Sequence, residues 1–108
     1  MTQKLALIGK RIAAIKAELA LIGEMRPGSL TRQYKDPEHR RGAYYQLSYT
    51  REMKSRTEYV PRERLGETRR QIANYKRCRL LIEEWVKLSI EQCRLFTRST
   101  RASSNTRR

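Results

Sequence analysis

The sequence predicts an α+β fold: an N-terminal heptad helix, a small three-stranded antiparallel sheet (a β-hairpin plus one strand) and a long C-terminal helix. Three patterns predict it: an apolar seam of heptad spacing near the start, an alternating tyrosine-rich stretch in the middle, and a long apolar stripe after Pro61. We expect the two helices to pair, either as an antiparallel hairpin or as a dimeric bundle. Residues 1–97 would then form a single helix-sheet-helix domain.

The N-terminal helix is predicted from apolar residues that recur at alternating intervals of three and four, the a/d spacing of a coiled coil. These residues are Leu5, Ile8, Ile12, Ile15, Leu19 and Ile22. Gly23 and Pro27 are expected to end the helix, because glycine is common just beyond a helix C-terminus and proline cannot continue one.

The middle of the chain predicts three strands. The stretch "SLTRQY" alternates and predicts the first strand, "KDPEHRRG" predicts a polar turn, and "YYQLSYT" and "SRTEYV" predict a hairpin around "REMK". A four-residue loop gives the cross-strand pairs Tyr49–Arg56, Leu47–Glu58 and Tyr45–Val60. Since an isolated hairpin is marginally stable, we expect the third strand or a helix to pack against it.

Pro61 suits the first position of a helix, and the apolar stripe after it predicts a helix to about Thr97. Residues 61–80 hold seven Lys and Arg against two Glu, whereas residues 81–96 hold two against three. The first half is therefore predicted to contact phosphate and the second half to pack on helices. Residues 98–108 have no apolar pattern and no acid, which predicts a disordered basic tail.

The formal net charge is +14, from 25 Lys and Arg against 11 Asp and Glu. Such a chain attracts polyanions, of which nucleic acid is the commonest, although an anionic membrane or an acidic protein would also attract it. The apolar runs are too short for a membrane span, and the first residues lack the apolar core of a signal peptide. We therefore expect a cytoplasmic protein that does not enter a membrane.

The chain offers little for catalysis or for a metal. His39 is the single histidine, and fifteen residues along one helix separate Cys78 from Cys93 by about 22 Å, too far for an intrachain disulfide. Asp36, Glu38 and His39 could touch a metal, but solvated turn residues are the simpler interpretation. The sequence predicts no enzyme, no metal site and no cofactor.

The predicted nucleic-acid-binding residues surround the hairpin and the start of the long helix. Arg and Lys contact phosphates, while Thr, Gln and Arg on a strand ribbon can read base edges in the major groove. The set is Arg26, Thr31, Arg32, Lys35, Arg40, Arg41, Tyr44, Lys54, Arg56, Thr57, Arg62, Arg69, Arg70, Lys76 and Arg77. In RNA, Tyr44 or Tyr45 could stack on unpaired bases.

Two plainer alternatives stand beside that interpretation. The polar sheet face could be only a solvated surface, and Tyr45, Tyr49 and Tyr59 could only pack the sheet against helices.

The apolar helix faces predict a homo-oligomer, most simply a dimer. Its expected interface residues are Ile8, Ile12, Ile15, Leu19, Ile82, Trp85 and Leu88. Three functions follow as hypotheses. The first is a nucleic-acid-binding accessory protein, with double-stranded DNA favoured over other nucleic acids. The second is an RNA-binding subunit of a ribonucleoprotein, and the third is a coiled-coil adaptor that binds an acidic or larger protein.

Four segments, "MRPGSLTRQY", "GAYYQLSYT", "SRTEYV" and "RRQIANYKR", together resemble a small family of uncharacterised prokaryotic proteins that are often encoded beside mobile elements. The resemblance covers roughly residues 20–95 and implies an association with such elements, but no activity. Many of these relatives carry a cysteine cluster where this chain has "KDPEHRR", so a metal role does not carry over. The hairpin is also similar in style to the small sheets with which some integrases and transposon proteins contact DNA, an analogy of form.

Overall fold

The computed structural model describes residues 2–106, with the side chains of residues 3–100. The elements are α1 (Thr2–Leu21), β1 (Ser29–Asp36), β2 (Arg41–Arg51), β3 (Lys54–Val60), a 3-10 turn (Arg62–Arg64) and α2 (Leu65–Thr106). The strands form one antiparallel sheet in the order β1-β2-β3. The α+β fold class and the predicted order of elements are confirmed.

The hairpin has the predicted register. Tyr49 pairs with Arg56, Leu47 with Glu58 and Tyr45 with Val60. The connection is tighter than the predicted four-residue loop, because Arg51 pairs with Lys54 and only Glu52 and Met53 remain as the turn. Both turn residues have positive φ, 52° and 65°, as a two-residue type I′ turn requires.

The first strand is longer than its alternating stretch, because β1 continues to Asp36, which pairs with Arg41. In the intervening turn the Asp36 carboxylate accepts a hydrogen bond from the His39 backbone N–H at 3.4 Å. The His39 Nδ1 atom lies 2.9 Å from the other carboxylate oxygen. The contacts between Asp36 and His39 therefore hold the β1–β2 turn together.

The chain divides into two compact units, Met1–Ile22 with Cys78–Arg108, and Gly23–Arg77. The boundary falls inside the continuous helix α2, which contributes to both units. The single domain predicted for residues 1–97 stays a prediction.

In the first unit, α1 packs antiparallel to the second half of α2. Lys4 Nζ lies 2.9 Å from Glu91 Oε1, and Arg11 donates to Glu84 at 2.5 and 2.7 Å. The residue nearer the start of α1 thus contacts the residue nearer the end of α2, which shows that the two helices run in opposite directions. The core consists of Ile8, Ile12 and Leu95, with Leu5, Trp85 and Leu88 packed against it. The predicted antiparallel helix pair is therefore formed within one chain.

This packing revises the expected oligomer interface. Ile8, Ile12 and Ile15 are buried, and Leu19, Trp85 and Leu88 are half-buried, all within a single chain. Only Ile82 of the seven residues is exposed, at 45%. An a/d seam can be filled by any matching helix, and here α2 of the same chain fills it.

The core of the second unit is formed by one face of the sheet and the first half of α2. Leu47, Val60 and Ile72 are buried together, and Leu30, Tyr45, Tyr49 and Leu65 pack against them. The opposite face of the sheet carries the alternate residues and is open. Tyr45 and Tyr49 thus pack in the core between the sheet and α2, which is the packing role that the sequence offered as the alternative to binding. Tyr59 instead lies on the open face and is 66% exposed.

The ends of α2 differ from the prediction. A 3-10 turn separates Pro61 from the α-helix, and the helix continues to Thr106 instead of ending near Thr97. Residues 98–106 contain neither glycine nor proline to stop it, and the hydroxyls of Thr97 and Thr100 donate to carbonyls four residues back. Residues 107–108 and the side chains from residue 101 onward lie outside the described residues, so the disordered tail stays a prediction.

Within residues 2–106, no helix combines the length and the apolar character that crossing a membrane requires.

Candidate nucleic-acid interface

The segment between α1 and β1 is held against α2 by its backbone. The Arg26 backbone N–H donates to the Gln71 carbonyl at 3.1 Å, and the Asn74 side-chain amide donates to the Glu24 carbonyl at 2.9 Å. Gly28 then brings the chain close to β2, with φ of +121° and space so limited that a Cβ would lie 2.6 Å from the Ser48 carbonyl oxygen. These contacts place the start of β1 beside α2.

A cleft of about 560 Å³ opens where the start of β1 meets the first half of α2. Leu30, Tyr45 and Ile72 give it an apolar floor, and three cations line it: Arg32 from β1, and Arg69 and Lys76 from α2. Arg69 and Lys76 share one side of the helix because seven residues are nearly two turns. Among the described residues that line this cleft, none is acidic. We call it the basic cleft.

Aromatic rings lie beside two of these arginines. The Arg69 guanidinium carbon is 6.0 Å from the centroid of the Tyr45 ring, and that of Arg32 is 5.4 Å from the centroid of the Tyr34 ring. Such cation–π contacts orient a guanidinium without neutralising its charge. Both arginines therefore keep their full charge for an anionic ligand.

The open face of the sheet has a different chemistry. It is built from small hydroxyl and amide side chains that pair across the strands: Ser29, Thr31, Gln33, Gln46, Ser48, Thr50, Ser55 and Thr57. The Thr31 hydroxyl donates to the Gln46 carbonyl at 3.5 Å, and the Thr50 and Ser55 hydroxyl oxygens lie 3.4 Å apart. This face offers donors and acceptors but little charge.

One end of the sheet carries a shallow depression of about 470 Å³, in which Tyr44 and Tyr59 stand beside Lys35. Gly42 and Ala43 complete the lining. Two aromatic rings next to a cation form a surface on which an unpaired base could stack.

The register divides the predicted binding residues between two surfaces. Thr31, Lys35, Tyr44 and Thr57 belong to the open face, whereas Arg32, Lys54 and Arg56 alternate with them and point to the other side. Only Arg32 of these three lines the basic cleft, because Lys54 and Arg56 lie toward the hairpin turn. The predicted binding residues of the sheet therefore lie on two opposite faces.

The remaining predicted residues lie outside both surfaces. Arg40 and Arg41 are at the β1–β2 turn, Arg62 is in the 3-10 turn, and Arg70 and Arg77 each follow a cleft residue by one position on α2. One residue along a helix is a rotation of about 100°, which moves Arg70 and Arg77 to a neighbouring side.

Arg26 is held by a carboxylate. Its guanidinium donates a hydrogen bond to Glu58 Oε2, and the Tyr49 hydroxyl donates to Glu58 Oε1 at 3.0 Å. The Tyr49 hydrogen bond and the Arg26 guanidinium, with help from the charge of Arg56, lower the pKa of Glu58. Arg26 is therefore a structural cation that ties the segment before β1 to β3, and it is a weaker candidate for phosphate contact than Arg32.

Sequence reasoning predicted the three cations of the cleft but missed the rest of its lining. Gly28, Leu30 and Ile72 carry no chemical signal of binding, and Tyr45 was considered for packing or for stacking on RNA bases but not as part of a cleft.

Among described residues, no group of three or more His, Cys, Asp or Glu side chains is placed to hold a metal ion. Comparison of the chain with models of protein families, with curated proteins and with solved structures gives no match.

Proposed function

We propose that this protein is a nucleic-acid-binding accessory protein, with double-stranded DNA as the favoured ligand, that contributes binding and not catalysis. The observation that carries the proposal is the basic cleft, where Arg32, Arg69 and Lys76 converge from two elements beside Tyr45. Any association with mobile elements remains what the sequence resemblance implies.

The chemistry of the cleft suits a phosphate backbone. A guanidinium offers a planar set of N–H donors that binds phosphate oxygens in pairs, and an ammonium group adds a compact charge. The net charge of +14 extends this attraction beyond the cleft, since Arg40, Arg41, Arg62 and Arg70 are exposed on the same unit. Counterion release from the nucleic acid would then dominate the affinity.

The open sheet face supports duplex DNA as the first choice. A ribbon of antiparallel strands fits the width of the major groove of B-DNA, and Thr, Ser and Gln can bond to base edges there. Eight such side chains occupy this face in cross-strand register. The cleft would supply phosphate contacts and the open face contacts to bases.

The depression beside Lys35 favours a second candidate, an RNA-binding subunit of a ribonucleoprotein. Tyr44 and Tyr59 could hold unpaired bases by stacking, a mode that is common in RNA and in single strands. A groove-binding sheet needs no such stacking, so the shape of the preferred nucleic acid distinguishes the two candidates. The adaptor hypothesis, with a larger protein as partner, predicts weak binding to every nucleic acid.

The decisive experiment is fluorescence anisotropy with labelled duplex DNA, single-stranded DNA and structured RNA, from about 50 to 200 mM salt. Tight duplex binding that survives the higher salt is the expected result. Preference for single strands or RNA would favour the second candidate. Weak, equal binding that disappears with salt would contradict both and leave the adaptor.

A triple variant, Arg32→Ala with Arg69→Ala and Lys76→Ala, tests the cleft itself. Its matched control is Lys10→Ala with Lys87→Ala and Arg98→Ala, which removes the same charge from exposed positions of the first unit. We expect the cleft variant to weaken binding by at least about tenfold more than the control, because three cations that neutralise phosphates are removed together. Equal weakening in both variants would mean that net charge alone attracts nucleic acid.

A further inference from the structure

The second half of α2 has two apolar faces. Leu81, Leu88 and Leu95 recur every seven residues and turn toward α1, where Leu81 and Leu95 are buried. On another side of the same helix, Ile82, Val86 and Ile90 are 45%, 49% and 49% exposed. Ser89, Cys93 and Thr97 continue this stripe, giving a groove of about 830 Å³ lined wholly by residues of α2. We call it the outer face.

We propose that the outer face pairs with the outer face of a second copy of this chain, with the two α2 helices antiparallel. This pairing of α2 helices does not depend on nucleic-acid binding. It concerns a different surface from the α1 seam that the sequence suggested for oligomerisation, because that seam is filled within one chain.

The charged flank of the outer face selects a second copy as the occupant. Glu83 and Arg94 are eleven residues apart, about three helical turns, so they lie on the same flank. Both are exposed. In an antiparallel pair of identical helices, equal flanks face each other, and a two-fold axis midway between positions 83 and 94 brings Glu83 of each copy to Arg94 of the other. At these two positions the flank is thus complementary to itself in charge.

The same axis fits the apolar residues. It places Val86 of one copy beside the interval between Ile90 and Cys93 of the other, and Ile82 beside the interval between Cys93 and Thr97. Large side chains would then alternate along the contact, as they do where helices pack ridge into groove. The stripe from Ile82 to Thr97 is about 24 Å long, which is more than four turns of continuous contact.

A parallel arrangement lacks this fit. It would bring the two Cys93 residues side by side and set the flank of Glu83 and Arg94 against the opposite flank, which carries Phe96. Cys93 is therefore an internal reporter of orientation, and it is exposed in the single chain.

The first test is the oligomeric state of the full chain after nuclease treatment, by sedimentation equilibrium under reducing conditions at about 0.15 M salt. We expect a dimer in the wild-type chain. Ile90→Glu should raise its dissociation constant at least about a hundredfold, because each dimer would hold two carboxylates at its centre in place of two apolar side chains. Leu80→Glu is the matched control, since Leu80 is 64% exposed on α2 but lies off the outer face. Circular dichroism verifies that both variants stay helical.

Charge reversal tests the orientation. Glu83→Arg and Arg94→Glu should each raise the dissociation constant about tenfold, and the double variant should restore it, because two surface pairs turn from attraction to repulsion and back. A wild-type chain that is monomeric at all concentrations overturns the proposal. A double variant whose dissociation constant shows the two single effects combined, instead of restored to the wild-type value, overturns it as well.

Oxidative cross-linking in a Cys78→Ser background gives an independent measure. With Val86→Cys added, the antiparallel dimer should form a disulfide between the introduced thiol and Cys93 of the other copy. The two positions within one chain are about 10 Å apart along the helix and cannot bridge. Efficient cross-linking through Cys93 alone, without the added thiol, would show a parallel pair and overturn the antiparallel proposal.

Discussion

At the scale of single residues, the turn between β2 and β3 holds backbone strain. Glu52 and Met53 both have positive φ, a conformation that costs residues with a Cβ about 1 kcal/mol or more each. Asparagine and glycine adopt it readily, which is why they dominate turns of this type. The hairpin register is therefore set by the pairing of the strands and not by favourable turn residues.

Replacing the turn by Glu52→Asn with Met53→Gly should stabilise the protein. We expect the free energy of unfolding to rise by about 1 kcal/mol, because the folded backbone is unchanged while the strain is relieved. Urea unfolding followed by circular dichroism measures it. A lower stability would show that the side chains of Glu52 or Met53 make contributions that the turn geometry does not reveal.

Glu58 predicts a pH dependence of stability. Its pKa in the folded chain is lowered from 4.5 by the Tyr49 hydroxyl and by Arg26, so the folded state favours the charged form more than the unfolded state does. The resulting stabilisation is present above pH 4.5 and is lost as pH falls through the lowered pKa of the folded state.

The Glu58→Gln variant should therefore be less stable than the wild type at neutral pH, and the difference should shrink as the pH falls below 4.5. Urea unfolding between neutral and strongly acidic pH measures it, with Glu38→Gln in the β1–β2 turn as the control for the change in net charge. A difference that stays constant through the acidic range would contradict the assigned cause.

At the scale of elements, α2 serves two cores. Its first half covers the sheet through Leu65 and Ile72, and its second half packs against α1 through Leu88 and Leu95. One uninterrupted helix can do so because the local spacing of its apolar residues defines which side it buries. This spacing changes along the length of α2.

The α1 seam should account for much of the stability of the first unit. Ile8→Ala should lower the free energy of unfolding by about 2–4 kcal/mol, because Ile8 is buried against Ile12 and Leu95. Leu7→Ala, at a neighbouring position that is 61% exposed, should cost less than about 0.5 kcal/mol. Thermal and urea unfolding compare the two. Equal destabilisation would mean that α1 does not pack in this orientation.

At the scale of the whole molecule, the net charge of +14 is unevenly distributed along the chain. Residues 61–80, which include Arg69 and Lys76 of the basic cleft, hold seven Lys and Arg against two Glu, whereas residues 81–96 hold three acids and two bases. Charge that only kept the protein soluble would need no such division. The uneven distribution fits the proposed nucleic-acid-binding surface, and salt dependence tests that proposal.

Arg69→Ala should reduce both duplex affinity and the slope of log affinity against log salt, by about 0.9 for each phosphate that its side chain neutralises. Arg70→Ala, one position further round the helix and outside the cleft lining, should have a smaller effect. The double variant should show the sum of the two effects. Anisotropy titrations at four or more salt concentrations measure the slopes. Unchanged affinity and slope in the double variant would remove this part of α2 from the proposed interface.

Short-range periodicity was enough to predict the order of elements, the heptad character of α1 and the register of the hairpin. The period is two along Tyr45, Leu47 and Tyr49, and the intervals are three and four from Leu5 onward. The end of α2 could not be predicted in this way, because residues 98–106 carry neither a stop signal nor an apolar stripe.

Which of the predicted binding residues lie together depended on the packing of the folded chain. Arg32 and Arg69 are far apart in sequence. They line the same cleft because α2 covers one face of the sheet and because the chain at Gly28 passes close to β2. Packing also fills the α1 seam from its own chain and leaves a second apolar face of α2 exposed. One physical cause explains both outcomes. Periodicity defines the faces of an element, but the packing of distant elements chooses which faces meet.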